Sequence, residues 1–272
     1  MPEYDLLMEL NRKEVFGEEI SDAEKSSAIS AFLGCRLSAD EVRAFRQRMH
    51  INPTSDRLYP YFFLPPFDSG KKRRLIQGYL PKTTLLYANH YELEILRLLS
   101  CYAPDHPSAK EMLNATLNRL QDAGFGTSRT QNEEMAVGIC VLRLLAAARP
   151  DYTDWLNRLL VPLGELFLSF GPGQAAVQQG IPVFYLLMAF KDINNEYTGW
   201  LLNTQKNWLL NLLRRGWITG TLSNGKLSEA DTFNVMYKHI IRNALATLPE
   251  FDGIERHEIY VNPQDNRCYC HI

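Results

Sequence analysis

The side chains most able to take part in catalysis in this 272-residue sequence are a histidine and several carboxylates at predicted helix starts. Two carboxylates near a histidine can act as general acid and general base, or hold a hard metal ion. Acidic residues in a first helical turn also stabilise the helix by themselves, so helix capping is the competing explanation. His90 is the residue that capping explains least. The catalytic candidates are His90, Glu92, Glu133, Glu134 and Asp231.

Ligand binding is a second role that the same helix starts could have. If the helices lie side by side, their starts meet at one end of the bundle and form one polar surface. The predicted starts cover residues 89–92, 130–134, 178–179 and 228–231. The ligand-binding candidates among them are His90, Tyr91, Gln131 and Gln178.

The sequence predicts no metal and no cofactor. Cys268, Cys270 and His271 are close in sequence. Successive residues of a strand point to opposite faces, so the two cysteines share one face and the histidine lies on the other. No second ligand pair with zinc-like spacing accompanies them. A P-loop, an HExxH motif and a GxSxG motif are all missing from the sequence.

An internal repeat indicates the elements that must position these residues. Residues 96–105 read LRLLSCYAPD, and residues 142–151, which lie 46 positions later, read LRLLAAARPD. Each copy ends an apolar helix and is followed by an amphipathic helix, and a more diverged copy covers 185–192. A period in the low forties with two helices per unit is typical of an αα-hairpin array.

The two helices of each repeat unit differ in polarity. The first is apolar around most of its circumference, whereas the second has one apolar and one polar face. This difference predicts an inner layer of buried helices that an outer layer wraps. The fold class is therefore mainly α, with αα-hairpins that form either a curved superhelix or an α/α toroid, and with a small β-hairpin at the C-terminus.

The segments outside the array complete a predicted single domain over residues 1–272. Ser21 with Glu24 and Ser38 with Glu41 have the spacing of capping boxes, so helices are expected in the N-terminal part. The segment that follows is rich in proline and aromatic residues, and its prolines forbid a regular helix. The predicted divisions are 1–56 (N-terminal helices), 57–87 (extended), 88–250 (hairpin array) and 251–272 (C-terminal hairpin).

Composition excludes several classes of protein. With 46% hydrophobic residues and a net charge of −2, the chain is neither disordered nor built as a whole to hold nucleic acid. No apolar run approaches the roughly 20 residues that cross a bilayer, so we expect no membrane partner. The N-terminus lacks the pattern of a secretory signal, and five cysteines fit reduced thiols, so we expect a cytoplasmic protein.

Three functions remain open, and fold alone does not choose among them. The first is binding of a protein or small-molecule ligand on the concave face of the inner helices, without catalysis. The second is an α/α-toroid enzyme that acts on a glycan or similar polar substrate through His90 and the acidic helix starts. The third is nucleic-acid binding through the basic run at 71–74, which the near-neutral charge disfavours.

Overall fold

The protein is described by a computed structural model. It describes residues 2–66, 72–125, 132–148, 152–170, 182–214, 220–221, 229–251, 259–261 and 267–270.

The described chain is mainly helical, as the sequence predicts. Two short 3-10 helices accompany the α-helices, at Pro53–Leu58 and Pro249–Phe251. Within the described ranges, no helix combines the length and the apolar character that a membrane span requires. The helices are α1 (Pro2–Phe16), α2 (Asp22–Gly34), α3 (Ala39–Arg48), α4 (Thr84–Tyr102), α5 (Pro107–Ala123), α6 (Asn132–Ala147), α7 (Thr153–Leu168), α8 (Val183–Ile193), α9 (Glu196–Thr204), α10 (Lys206–Arg214) and α11 (Glu229–Leu245).

Local sequence signals explain most of the helix ends. Ser21 and Ser38 both form complete capping boxes, with Glu24 and Glu41 respectively. Gly124 ends α5 in the left-handed conformation, with φ of 70°. The outer helix of the third hairpin is divided into α9 and α10, because the chain breaks at Gln205.

One group of helices forms the core and packs in a continuous series. Helix α4 packs on α6, α6 on α8, α8 on α11, and α11 on α1. Helix α1 also contacts α2, which packs in turn on α4. Helices α5, α7, α9 and α10 lie outside this series, and each contacts at least one helix of it or a neighbouring outer helix. Most side chains of α4 and α8 are buried, as expected for helices that are apolar on nearly every side.

Helix α1 contacts α4 near its start and α11 near its end. Tyr4, near the start of α1, stacks on Tyr91 in the first half of α4, with ring centroids 6.4 Å apart. At the other end of α1, the carbonyl of Val15 accepts a hydrogen bond of 2.6 Å from Asn243 Nδ2, near the end of α11. Equivalent ends of these helices therefore lie together.

Three short strands pair in one antiparallel sheet. They are β1 (Gly220–Thr221), β2 (Ile259–Val261) and β3 (Arg267–Cys270), and β3 lies between the other two. Tyr260 stands opposite Tyr269, and Gly220 stands opposite Cys268.

Candidate functional site

A network of charged and polar side chains is buried between four helices of the core series. We call it the charged cluster. Its carboxylates are ion-paired with two arginines, and the formal charge of its five ionic side chains is −1, from three carboxylates and two guanidinium groups. Its members are Asn11 and Glu14 of α1, Glu94 and Arg97 of α4, Arg143 of α6, and Tyr185 and Asp192 of α8.

Arg143 connects the four helices. Its Nε donates to Asp192 Oδ2 at 2.9 Å, and its Nη1 donates to Glu94 Oε1 at 2.9 Å and to Asn11 Oδ1 at 3.1 Å. Its Nη2 donates to Glu14 Oε2 at 3.3 Å. A single guanidinium group therefore binds two acceptors from α1, one from α4 and one from α8.

Arg97 provides a second set of bonds to the same acceptors. Its Nη2 donates to Glu14 Oε2 at 2.7 Å and to Asn11 Oδ1 at 3.0 Å. Its Nε donates to Glu94 Oε2 at 3.0 Å. Because both arginines share Asn11, Glu14 and Glu94, the position of each acceptor is fixed from two sides.

The arginines keep the buried carboxylates ionised. Burial by itself would raise the pKa of Glu94, but the charges of Arg143 and Arg97 lower that pKa to about 2. Burial likewise opposes ionisation of Asp192, and Arg143 is the strongest influence that lowers its pKa. The hydroxyl of Tyr185 donates to Glu94, and burial raises the pKa of that hydroxyl, so it remains a proton donor.

His90 lies deeper in the core, one turn before Glu94. It is 3% exposed, and its ring is 5.3 Å from the ring of Tyr185. Burial lowers the pKa of His90 to about 4, so the imidazole is neutral at physiological pH. Its Nε2 has no hydrogen-bond partner within the described part of the chain.

The charged cluster borders a narrow cavity that is partly open to solvent. We call it the inner cavity. Its walls combine charged groups of the cluster with apolar side chains from α1, α8 and α11. It is lined by Glu14, Val15, Arg143, Met188, Lys191, Asp192, Ile240 and Asn243. Met188 is the central residue of α8, and the other lining residues lie in the second half of their helices.

A wider groove of about 1300 Å³ adjoins the inner cavity, with which it shares Glu14, Lys191 and Asp192. Arg97 and Cys101 of α4 also line it. Cys101 is an exposed residue with a free thiol, and partial desolvation of its sulfur raises its pKa, so it is mostly protonated at neutral pH. The groove leads from solvent to the carboxylates of the charged cluster.

Glu92, a predicted catalytic residue, makes different contacts. Its Oε2 accepts hydrogen bonds from the backbone amides of Tyr61, Phe62 and Phe63, at 2.9, 2.7 and 3.2 Å. Its Oε1 accepts from Arg119 Nη2 at 3.1 Å, and both side chains are fully buried. These bonds attach the extended segment to α4 and α5, so Glu92 has a structural role in the described contacts.

The prediction that residues 89–92 cap an inner helix is wrong, because α4 begins at Thr84 with Thr83 as its cap. Tyr91 is buried against Tyr4. Glu133, Glu134 and Asp231 lie in the first turns of α6 and α11. Gln131 and Gln178 lie outside the described residues.

The described cations of the basic run contact other parts of the same chain. Lys72 donates to the carbonyl of Lys82. The guanidinium carbon of Arg73 lies 4.8 Å from the centroid of the Tyr4 ring, and that of Arg74 lies 5.5 Å from the Phe233 ring. Lys71 lies outside the described residues.

The sequence signal for the charged cluster is a pair of arginines inside apolar helices, and not an acidic helix start. Arg97 and Arg143 occupy the same position of the repeated LRLL motif, 46 residues apart. An arginine inside such an apolar stretch is buried with the rest of the helix and must find an anionic partner there. Glu94 precedes Arg97 by three residues, which places both on one helix face.

No family model matches the chain, and neither a curated protein nor a solved structure matches it.

Proposed function

We propose that this chain binds a small polar ligand at the inner cavity, and that it acts as a binding protein without catalysis of its own. The supporting observation is the charged cluster, which is buried on one side and faces a cavity on the other. This location differs from the predicted one, since it lies at the ends of the core helices and not at their starts.

The energetic cost of the cluster supports a role beyond stability. Moving charged groups out of water costs several kcal/mol per ion, and well-packed apolar side chains are often as stabilising as a buried ion pair. A cluster of three carboxylates and two arginines therefore joins helices at a higher desolvation free energy than apolar side chains would. It does hold charged groups in fixed positions beside the cavity, which lowers the ordering cost of binding.

We also propose that α1, α4, α6, α8 and α11 form the inner ring of an α/α toroid, and that residues 1–272 form one domain. The series of contacts from α4 through α6, α8 and α11 to α1 supports this architecture. So do the bonds of Asn11 and Glu14 to Arg97 and Arg143, which join α1 to α4 and α6. The inner cavity then lies at one mouth of the ring.

An enzyme that acts on a glycan through His90 and acidic helix starts is the alternative, and the contacts support it less. A general acid needs a raised pKa, whereas Glu94 and Asp192 have lowered ones. His90 is neutral and fully enclosed, and Glu92 is occupied by backbone amides and Arg119.

The proposal is tested by thermal unfolding of the protein with a panel of small probes that includes cadaverine, glutarate and glucose. A probe at about 100 times its dissociation constant stabilises the folded state by about 2.7 kcal/mol, which raises Tm by several degrees. We expect at least one probe to raise Tm of the wild type but not of Asp192→Asn. Asp105→Asn is the matched control, since Asp105 is 95% exposed and pairs only with Lys110 in the ion pairs described. Equal shifts in all three proteins, or none, would contradict the proposal.

A further inference from the structure

We propose that the ligand of the inner cavity carries a primary ammonium group on an aliphatic chain, as a diamine or polyamine does. This inference rests on the proposed function and names its ligand class.

Two of the three anionic members of the charged cluster reach solvent, whereas Glu94 and both arginines are buried behind them. The side chains of Glu14 and Asp192 are 24% and 23% exposed. Those of Arg97 and Arg143 are 5% and 3% exposed. A ligand that enters the inner cavity therefore meets carboxylate oxygens before it meets guanidinium groups.

The ends of the surrounding helices add negative potential in the same place. Glu14, Asp192 and Asn243 lie within the last three residues of α1, α8 and α11, respectively. The unpaired carbonyls of a helix C-terminus are equivalent to about half a negative charge, and they favour cations nearby. Since Glu14 and Asp192 balance the charges of Arg143 and Lys191 in the cavity wall, this helix-end potential makes the site favour a cation.

Lys191 already places an ammonium group at this position. Its Nζ lies 3.4 Å from Asp192 Oδ1, and its side chain is 48% exposed and lines the inner cavity. An exposed lysine pair of this kind contributes at most about 1 kcal/mol, so a ligand ammonium group can displace it. Lys191 therefore marks where a primary amine binds and also competes with it.

The remaining wall of the inner cavity suits an aliphatic chain. Val15, Met188 and Ile240 contribute to the lining from three different helices, and all three side chains are buried. Covering apolar surface with methylene groups contributes about 0.8 kcal/mol per buried group. A ligand with an ammonium end and a methylene chain satisfies both walls, whereas a polyol satisfies only the charged one.

The test is isothermal titration calorimetry with cadaverine, and its strength lies in two variants with opposite expected effects. Asp192→Asn removes the anionic partner, so we expect affinity for cadaverine to fall about tenfold, as for loss of one charge-assisted hydrogen bond. Lys191→Gln removes the competing ammonium group, so we expect affinity to rise about threefold. Lys110→Gln is the control, since Lys110 is 56% exposed and pairs with Asp105. Structural damage would weaken binding in both variants, so a rise in Lys191→Gln separates the two explanations.

Further titrations distinguish failure of this inference from failure of the proposed function. Binding of glutarate or glucose that Asp192→Asn weakens, without binding of cadaverine, would overturn the ammonium ligand and leave the site in place. No binding by any probe would overturn both. Titration with Nα-acetyl-lysinamide identifies the source of the amine: tighter binding than cadaverine would assign it to a lysine side chain, and weaker binding to a free polyamine. If Asp192→Asn does not fold, an unchanged affinity in Lys191→Gln would overturn the inference.

Discussion

At the scale of single residues, the charged cluster depends on two arginines that are almost fully buried. Arg143 is 3% exposed and binds acceptors on three other helices. Removing one partner from a buried ionic network leaves the remaining charges uncompensated, which costs far more than loss of a surface ion pair.

We therefore predict that Arg143→Met lowers the free energy of unfolding by about 3 kcal/mol, as measured by urea denaturation. Arg43→Met is the matched control, because the side chain of Arg43 is 70% exposed and 3.4 Å from Asp40. The control should change stability by less than about 0.5 kcal/mol. Similar effects of the two substitutions would contradict the account of the charged cluster.

His90 predicts a pH dependence with a definite sign. The folded state takes up a proton on His90 only near pH 4, whereas the unfolded chain does so near pH 6.5. The unfolded state therefore binds more protons between these values, and stability falls as the pH is lowered. Glu94, Arg97, Arg143 and Tyr185 are the ionisable groups around the imidazole.

Between pH 6.5 and 4.5, we expect this uptake to cost wild-type protein about 2 kcal/mol more than His90→Gln, which has no group to protonate there. Urea denaturation at several pH values measures the difference. His50→Gln is the control for removal of a histidine, because His50 is exposed and its substitution leaves the buried imidazole of His90 in place. Parallel pH profiles for wild type and His90→Gln would show that burial does not suppress protonation of His90.

At the scale of elements, helix ends were the most predictable feature of this chain. The serine capping boxes start α2 and α3 where the sequence predicts, and Gly124 ends α5, because each of these residues satisfies backbone groups locally. The start of α4 was mispredicted because Thr83 supplies a cap without an acidic residue three positions later. The repeat and toroid arrangement remain predictions, since they depend on how helices pack and not on local signals.

Gly124 offers a direct test of this local control. Its φ of 70° is accessible to glycine but strained for other residues, so we predict that Gly124→Ala lowers stability by about 1 kcal/mol. Gly34→Ala is the control: Gly34 ends α2, and no atom lies within 4 Å of an added Cβ, so stability should rise by about 0.5 kcal/mol. Thermal denaturation measures both. A neutral effect at Gly124 would contradict the proposed role of its backbone conformation.

The candidate site was only partly predictable for the same reason. His90 was identified as unusual, and it does lie beside the charged cluster. The pairing of Asn11 with Arg143 spans 132 positions, and no local pattern encodes such a contact. The proposed location of the site at helix ends, instead of helix starts, follows from the packing of α1 against α4, α6 and α11.

At the scale of the whole molecule, α1 is the element that joins the two ends of the core series. It contributes Asn11 and Glu14 to the charged cluster, and its Val15 carbonyl accepts a hydrogen bond from Asn243 of α11. We predict that deletion of residues 1–17 abolishes the single cooperative unfolding transition, because it leaves Arg97 and Arg143 without these partners.

Circular dichroism during urea denaturation measures this effect. Ser21→Ala is the control, since it removes one helix cap next to α1 and should cost only about 1 kcal/mol while cooperativity is retained. A truncated protein that unfolds with the midpoint and slope of the full chain would contradict the role of α1.

The central claim is that a ligand site lies at the ends of the core helices, beside Glu14 and Asp192. A crystal structure of the protein grown with cadaverine tests it most directly. The account predicts electron density for an ammonium group between these two carboxylates, with Lys191 Nζ moved away from its position 3.4 Å from Asp192 Oδ1. Cadaverine bound at the starts of the core helices, or an inner cavity without the probe and with Lys191 still on Asp192, would contradict it.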